Sequence, residues 1–87
     1  MEYDDIVKAL SHPKSRMAGL KQVMRALEDG KVEAVALAED ADDHIRRRVR
    51  SRCVALGVPC ADAPTMYELG TVCRLDVGTA VACVLKT

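Results

Sequence analysis

The sequence has no phenylalanine, no tryptophan and only two tyrosines, Tyr3 and Tyr67. Recognition of single-stranded RNA by stacking depends on aromatic faces, so a chain this poor in them is a weak candidate for that mode. Net charge is missing too. Thirteen acidic residues balance thirteen basic ones, which removes the overall electrostatic footprint of a general nucleic-acid binder. No apolar run approaches the ~18 residues of a membrane span, and the acidic opening "MEYDD" is unlike a secretory signal. A cytoplasmic protein with no membrane partner is expected.

Chemistry-bearing motifs are equally scarce. The five glycines form neither a Walker loop nor G-x-G-x-x-G, so nucleotide binding lacks its usual signal. Cys53, Cys60, Cys73 and Cys83 contain no C-x-x-C and have no histidine nearby in sequence. Each falls in an apolar helix or strand pattern, which fits free buried thiols in a reducing compartment. His12 sits beside a proline and His44 opens an arginine-rich segment, and neither has a sequence-evident cysteine or serine partner. Both read as solvated surface histidines. No catalytic residue, metal, cofactor or small-molecule substrate is expected.

What the chain does have is alternation. Its 87 residues, 49% hydrophobic and 30% charged, suit one soluble domain spanning 1–87, which hides roughly 60–65% of its unfolded surface. "EYDDIVKAL" is a short helix with acids in its first turn. "SHPKS" ends it and "RMAG" is a brief edge strand. In "GLKQVMRALEDG", Leu20, Val23, Met24 and Leu27 form one apolar stripe, and Gly30 suits a left-handed stop. "VEAVALA" reads as a central strand covered on both faces, and "EDADD" supplies a turn and an aspartate N-cap. The helix "DHIRRRVRSRCVAL" turns Ile45, Val49, Cys53 and Leu56 inward and stops at Gly57. "VPCADA" is a strand and "PTM" a loop. "YELGTVCRL" is a helix with Leu69, Val72 and Cys73 inward, and "TAVACVL" is a last buried strand. This order predicts an α/β fold, a three-layer α/β/α sandwich around a small four-stranded mixed sheet that is largely parallel.

Charge is unevenly spread within this frame. Residues 1–43 hold ten acids and six bases, whereas 44–87 hold three acids and seven bases, five of them Arg46, Arg47, Arg48, Arg50 and Arg52. The arginine helix is either a solvated face balanced by Glu39, Asp40, Asp42 and Asp43, or a contact to a phosphate backbone. The start of the Gly19 helix offers something else. Gly19 permits close backbone approach, free N–H groups welcome phosphate, and Lys21 and Arg25 can donate to guanine O6 and N7. Gln22 carries both a donor and an acceptor. On pattern alone this is either an ordinary exposed face or an edge that reads structured RNA.

"GLKQVMRAL", "AVALAEDAD", "GVPC", "TMYELGTVC" and "DVGTAVACVL", in that order from about Ser15 to Leu85, resemble the superfamily of the archaeal large-subunit ribosomal protein L-seven-Ae. The chain looks most like that superfamily's small bacterial, ribosomal-protein-like members. The resemblance implies an α/β/α sandwich that binds kink-turns, RNA helices bent at a bulge flanked by tandem sheared G·A pairs. By the same resemblance Gly19, Lys21, Gln22 and Arg25 would read the G·A pairs. Glu39 and Asp40 would meet an extruded nucleotide or orient Lys21. Ala63, Pro64, Thr65 and Met66 would cover the bulged nucleotides. Leu20 and Arg25 depart from the family pattern of a small residue and a lysine.

The expected protein is therefore a non-enzymatic, monomeric RNA binder, with ribosomal RNA as first partner and another structured RNA as second. The competing expectation is a protein–protein interaction module that uses the arginine helix.

Overall fold

Alternation along Val32–Ala38 sets the architecture. Ala34, Ala36 and Ala38 pack into one buried cluster and Val35 and Leu37 into another, as the two-residue period of a strand requires. The computed structural model describes residues 2–86. Its elements are α1 (Tyr3–Leu10), a 3₁₀ turn (Pro13–Ser15), β1 (Arg16–Ala18), α2 (Leu20–Glu28) and β2 (Val32–Ala38). There follow α3 (Asp43–Leu56), β3 (Cys60–Ala63), α4 (Met66–Val72) and β4 (Val81–Leu85).

The sheet runs β1-β4-β2-β3, with α1 and α4 on one face and α2 and α3 on the other. The α1/α4 face is lined by Ala34, Ala36, Ala38, Ala63 and Ala82, and these short side chains admit Ile6, Leu10, Leu69 and Cys73 from the helices above. The opposite face carries larger groups, including Val35, Leu37, Val81 and Cys83, against Val23, Leu27, Val49 and Cys53. A register shift between Val32 and Ala34 turns Val32 onto the α2/α3 face and leaves Glu33 exposed.

The sheet is mixed, but it is not largely parallel. Only β2 and β3 pair in parallel, while β4 runs antiparallel to both β1 and β2. The cause lies after α4. Residues 73–80 carry the chain back to the end of the sheet where α4 began, and there the Thr79 N–H donates to the Met66 carbonyl at 3.1 Å. The last strand must start at that end and run against its neighbours.

Three helices stop in the same way. In the Schellman arrangement, N–H groups just past the helix bond back to carbonyls of the last turn around one left-handed residue. Gly30 and Gly57, both at φ +69°, and Arg74, at φ +59°, occupy that position. The second bonds are Lys31 N to Ala26 O, Val58 N to Cys53 O, and Leu75 N to Gly70 O, all 2.9–3.0 Å.

Two expectations are corrected here. α4 ends at Val72, before the Arg74 and Leu75 of the predicted helix, because an arginine takes the position where a glycine would have signalled a stop. Leu56 is 43% exposed, because Val58, just beyond the Gly57 turn, packs into the core cluster in its place.

Gly70 faces the returning segment so closely that a Cβ there would lie 2.2 Å from the Val77 carbonyl oxygen. Two glycine exchanges should therefore act in opposite directions. Gly70→Ala should destabilise by about 1–3 kcal/mol, against helix propensity, because overpacking wins. Arg74→Gly should stabilise by up to about 1 kcal/mol by relieving the left-handed penalty. Urea titrations read both, and a stabilising Gly70→Ala would refute the close approach.

Candidate functional site

Three loops meet at the end of the sheet where β1, β2 and β3 finish and β4 begins. Gly19 follows β1 and donates its N–H to the Val81 carbonyl at 3.0 Å. Ala38 closes β2 and donates to the Ala80 carbonyl at 2.9 Å. Glu39, the next residue, donates its N–H to the Ala63 carbonyl at 2.9 Å, which ties the end of β2 to the end of β3.

Gly19 adopts φ +100°, ψ 144°, a conformation that nearly always requires glycine. A Cβ there would also lie 2.8 Å from Gln22 Oε1, so the glutamine side chain folds back over the bare backbone. Among the described residues no side chain caps the first turn of α2, which leaves its N–H groups and the positive end of its dipole open. Lys21, Gln22 and Arg25 are exposed. They line a groove of about 290 Å³ with Met17, Ala26, Asp29 and Lys31. Lys21 and Arg25 form no ion pair among the described residues. The geometry offers an anion-attracting helix start flanked by two cations and an amide able to donate and accept.

The other predicted residues divide. Glu39 is exposed at the same sheet end. Asp40 is occupied: its Oδ1 accepts from the Met66 N–H at 2.7 Å and fastens the loop after β3 to the loop after β2. Thr65 Oγ1 accepts from the Glu68 N–H at 3.0 Å as the N-cap of α4. Pro64, Thr65 and Met66 are exposed, whereas Ala63 is fully buried and presents no side chain to a ligand. Tyr67, 80% exposed, stands beside this loop.

The sequence reading missed the support beneath these residues. A Cβ on Gly78 would sit 3.1 Å from the Met66 carbonyl group, so residues 77–79 buttress the 64–66 loop by backbone contact. The glycine in "DVGTA" was the available signal.

The arginine helix is balanced by acids other than those at its start. Arg46 and Arg50 share Asp62 Oδ1, at 3.3 and 2.6 Å, and Arg52 reaches Glu28 at 2.7 Å. Asp42 instead caps its own helix by accepting from the His44 N–H. These pairs are half-exposed and contribute little stability individually.

The four cysteines are free, and Cys60 differs from the rest in being only half-buried. The adjacent Cys53 thiol holds the Cys60 thiol below its ordinary range, with nearby Arg50 assisting against the opposing effects of burial and the Asp62 carboxylate. Burial pushes Cys73 up, and Cys83 up to about 11. Since a lowered pKa increases the thiolate fraction at neutral pH, iodoacetamide at pH 7 should label Cys60 about tenfold or more faster than Cys73 or Cys83. Peptide mass spectrometry reads this directly, and equal labelling rates would contradict it.

The model of the Ribosomal protein L7Ae/L30e/S12e/Gadd45 family matches residues 1–87. The chain belongs to this family. "RNA-binding protein TTE2299" from Caldanaerobacter subterraneus subsp. tengcongensis is 37% identical over 70 residues, covering 80% of this chain and 85% of that protein. "RNA-binding protein YbxF" from Geobacillus stearothermophilus is 33% identical over 86 residues, covering 99% of this chain and all of that protein. Among solved structures, the Giardia lamblia 15.5kD RNA binding protein superposes with a TM-score of 0.84 at 27% identity, covering 93% of this chain and 71% of that one. A Bacillus halodurans protein of unknown function gives 0.83 at 21% identity, covering 93% and 84%, a likeness of fold. The family resemblance and the α/β/α architecture expected from the sequence both hold.

Proposed function

We propose that this protein is a non-enzymatic RNA binder that recognises kink-turn RNA at the β4-starting end of its sheet. Family membership and the names of its relatives support the RNA reading. The observation that carries the finer reading is the meeting of the uncapped α2 start, Glu39 and the 64–66 loop at one sheet end.

Lys21 and Arg25 donate to guanine O6 and N7, and Gln22, held over Gly19, supplies a paired donor and acceptor to the sheared G·A edges. The bare backbone of Gly19 and the free N–H groups of α2 face phosphate. Pro64, Thr65 and Met66 cover the bulged nucleotides from the other side. Asp40 acts as a positioning residue that fixes Met66 relative to the end of β2. Binding only the bent form draws the extended RNA over to it. The protein works as a monomer in the cytoplasm without a cofactor, on ribosomal RNA or another structured RNA.

For the protein-interaction alternative the arginine helix offers only Arg47 and Arg48, since Arg46, Arg50 and Arg52 are already engaged within the chain.

Gel-shift titration should compare a kink-turn with the same duplex after its G·A pairs are replaced by Watson–Crick pairs. Nanomolar binding to the kink-turn alone is expected. Lys21→Ala with Gln22→Ala should then cost about 2–4 kcal/mol, roughly 30- to 1,000-fold, from two lost base contacts. Equal, salt-sensitive binding to both RNAs would overturn the kink-turn reading.

A further inference from the structure

Arg47 and Arg48 are both exposed, and neither forms an ion pair among the described residues. Their neighbours show which way the helix faces. Arg52 bonds to Glu28 of α2, so the Arg48–Arg52 row, one turn apart, borders α2. Arg46 and Arg50 turn the other way, to Asp62 on edge strand β3. Arg47 stands on the crest between these rows.

α2 and α3 cover the same face of the sheet, and both begin at the end that carries the Gly19 loop. At 1.5 Å per residue, Arg47 and Arg48 lie only about 7 Å along α3 from that end. They share a side of the molecule with Lys21 and Arg25. The charge is also in excess locally, since two guanidiniums share the single Asp62 carboxylate.

A groove of about 210 Å³ opens among Asp43, Arg46, Arg47 and Arg50. Three guanidiniums against one carboxylate in its lining make the groove a better seat for an anion than for a cation.

We propose that Arg47 and Arg48 form a second, sequence-independent contact to the phosphate backbone of an RNA duplex arm. This rests on the RNA reading above, with the arm flanking the element read at the sheet end. A bent element leaves its binding site as duplex, and duplex phosphates recur along the whole arm. Such a contact adds affinity to any sequence and discriminates nothing, whereas Lys21 and Gln22 discriminate.

Arg47→Gln with Arg48→Gln tests this, measured by gel shift from 50 to 300 mM KCl on the kink-turn and on its Watson–Crick control. A thermal midpoint matching the wild type establishes that the variant folds. The slope of log affinity against log salt should fall in magnitude by about 2 on both RNAs. Affinity should drop roughly tenfold on each, so that the preference for the kink-turn survives. Arg47→Lys with Arg48→Lys should keep the slope, since a point charge suffices for phosphate.

Lys21→Ala with Gln22→Ala should do the reverse for selectivity and remove the preference. If wild-type protein shows no preference while the arginine variant still lowers the slope, the kink-turn reading fails and the backbone contact stands. An unchanged slope and affinity in the arginine variant would overturn the proposal and leave a solvated face.

Discussion

The carbonyl groups of Ala80 and Val81 hold together the sheet end proposed to bind RNA. One accepts from Ala38 at the end of β2 and the other from Gly19 at the start of α2. Two loops distant in sequence are thereby fixed to the first residues of a single strand. The third loop joins through Asp40 and Met66 on one side and Thr79 and Met66 on the other. None of this is possible unless β4 enters between β1 and β2 at that end, and its entry depends on the turn at Arg74 and the close passage of Val77 and Gly78 over α4. Side chains at the site are placed by backbone bonds, which move little and so pre-organise the surface for a rigid ligand.

Zero net charge and the proposed polyanionic ligand are compatible because the charges are sorted. Acids at the far end of α2 and on β3 take up three arginines of α3. Four of the ten cations without carboxylate partners among the described residues, Lys21, Arg25, Arg47 and Arg48, lie exposed on the two helices that cover one face of the sheet. A neutral protein with a local cationic surface gains specificity from geometry, because it lacks the long-range attraction that would hold it to any nucleic acid.

Much of this was legible from sequence because local rules and tertiary structure agree. The stripe of Leu20, Val23, Met24 and Leu27, the stop at Gly30, the Asp42 cap and the apolar run of β2 each point to the element that forms. The misreadings share a cause. Strand direction depends on where residues 73–80 return, and no local pattern encodes that. Arg74 in a left-handed position hides a helix stop that glycine would have announced. Nor does the sequence show that a backbone N–H occupies Asp40 Oδ1 or that the Ala63 side chain lies in the core. The partners of the arginine helix lie on Asp62 and Glu28, contacts that only the fold brings about.

The central claim is that three loops at one sheet end act as one RNA-binding surface. Amide chemical-shift mapping of the labelled protein during titration with a kink-turn RNA tests it most directly. Saturable shifts are expected at Gly19–Arg25, Glu39–Asp40 and Thr65–Tyr67, with Gly30 and Gly57 at the opposite end unmoved. Shifts centred on Gly30 and Gly57, or an α2 start that stays silent while RNA binds, would contradict it.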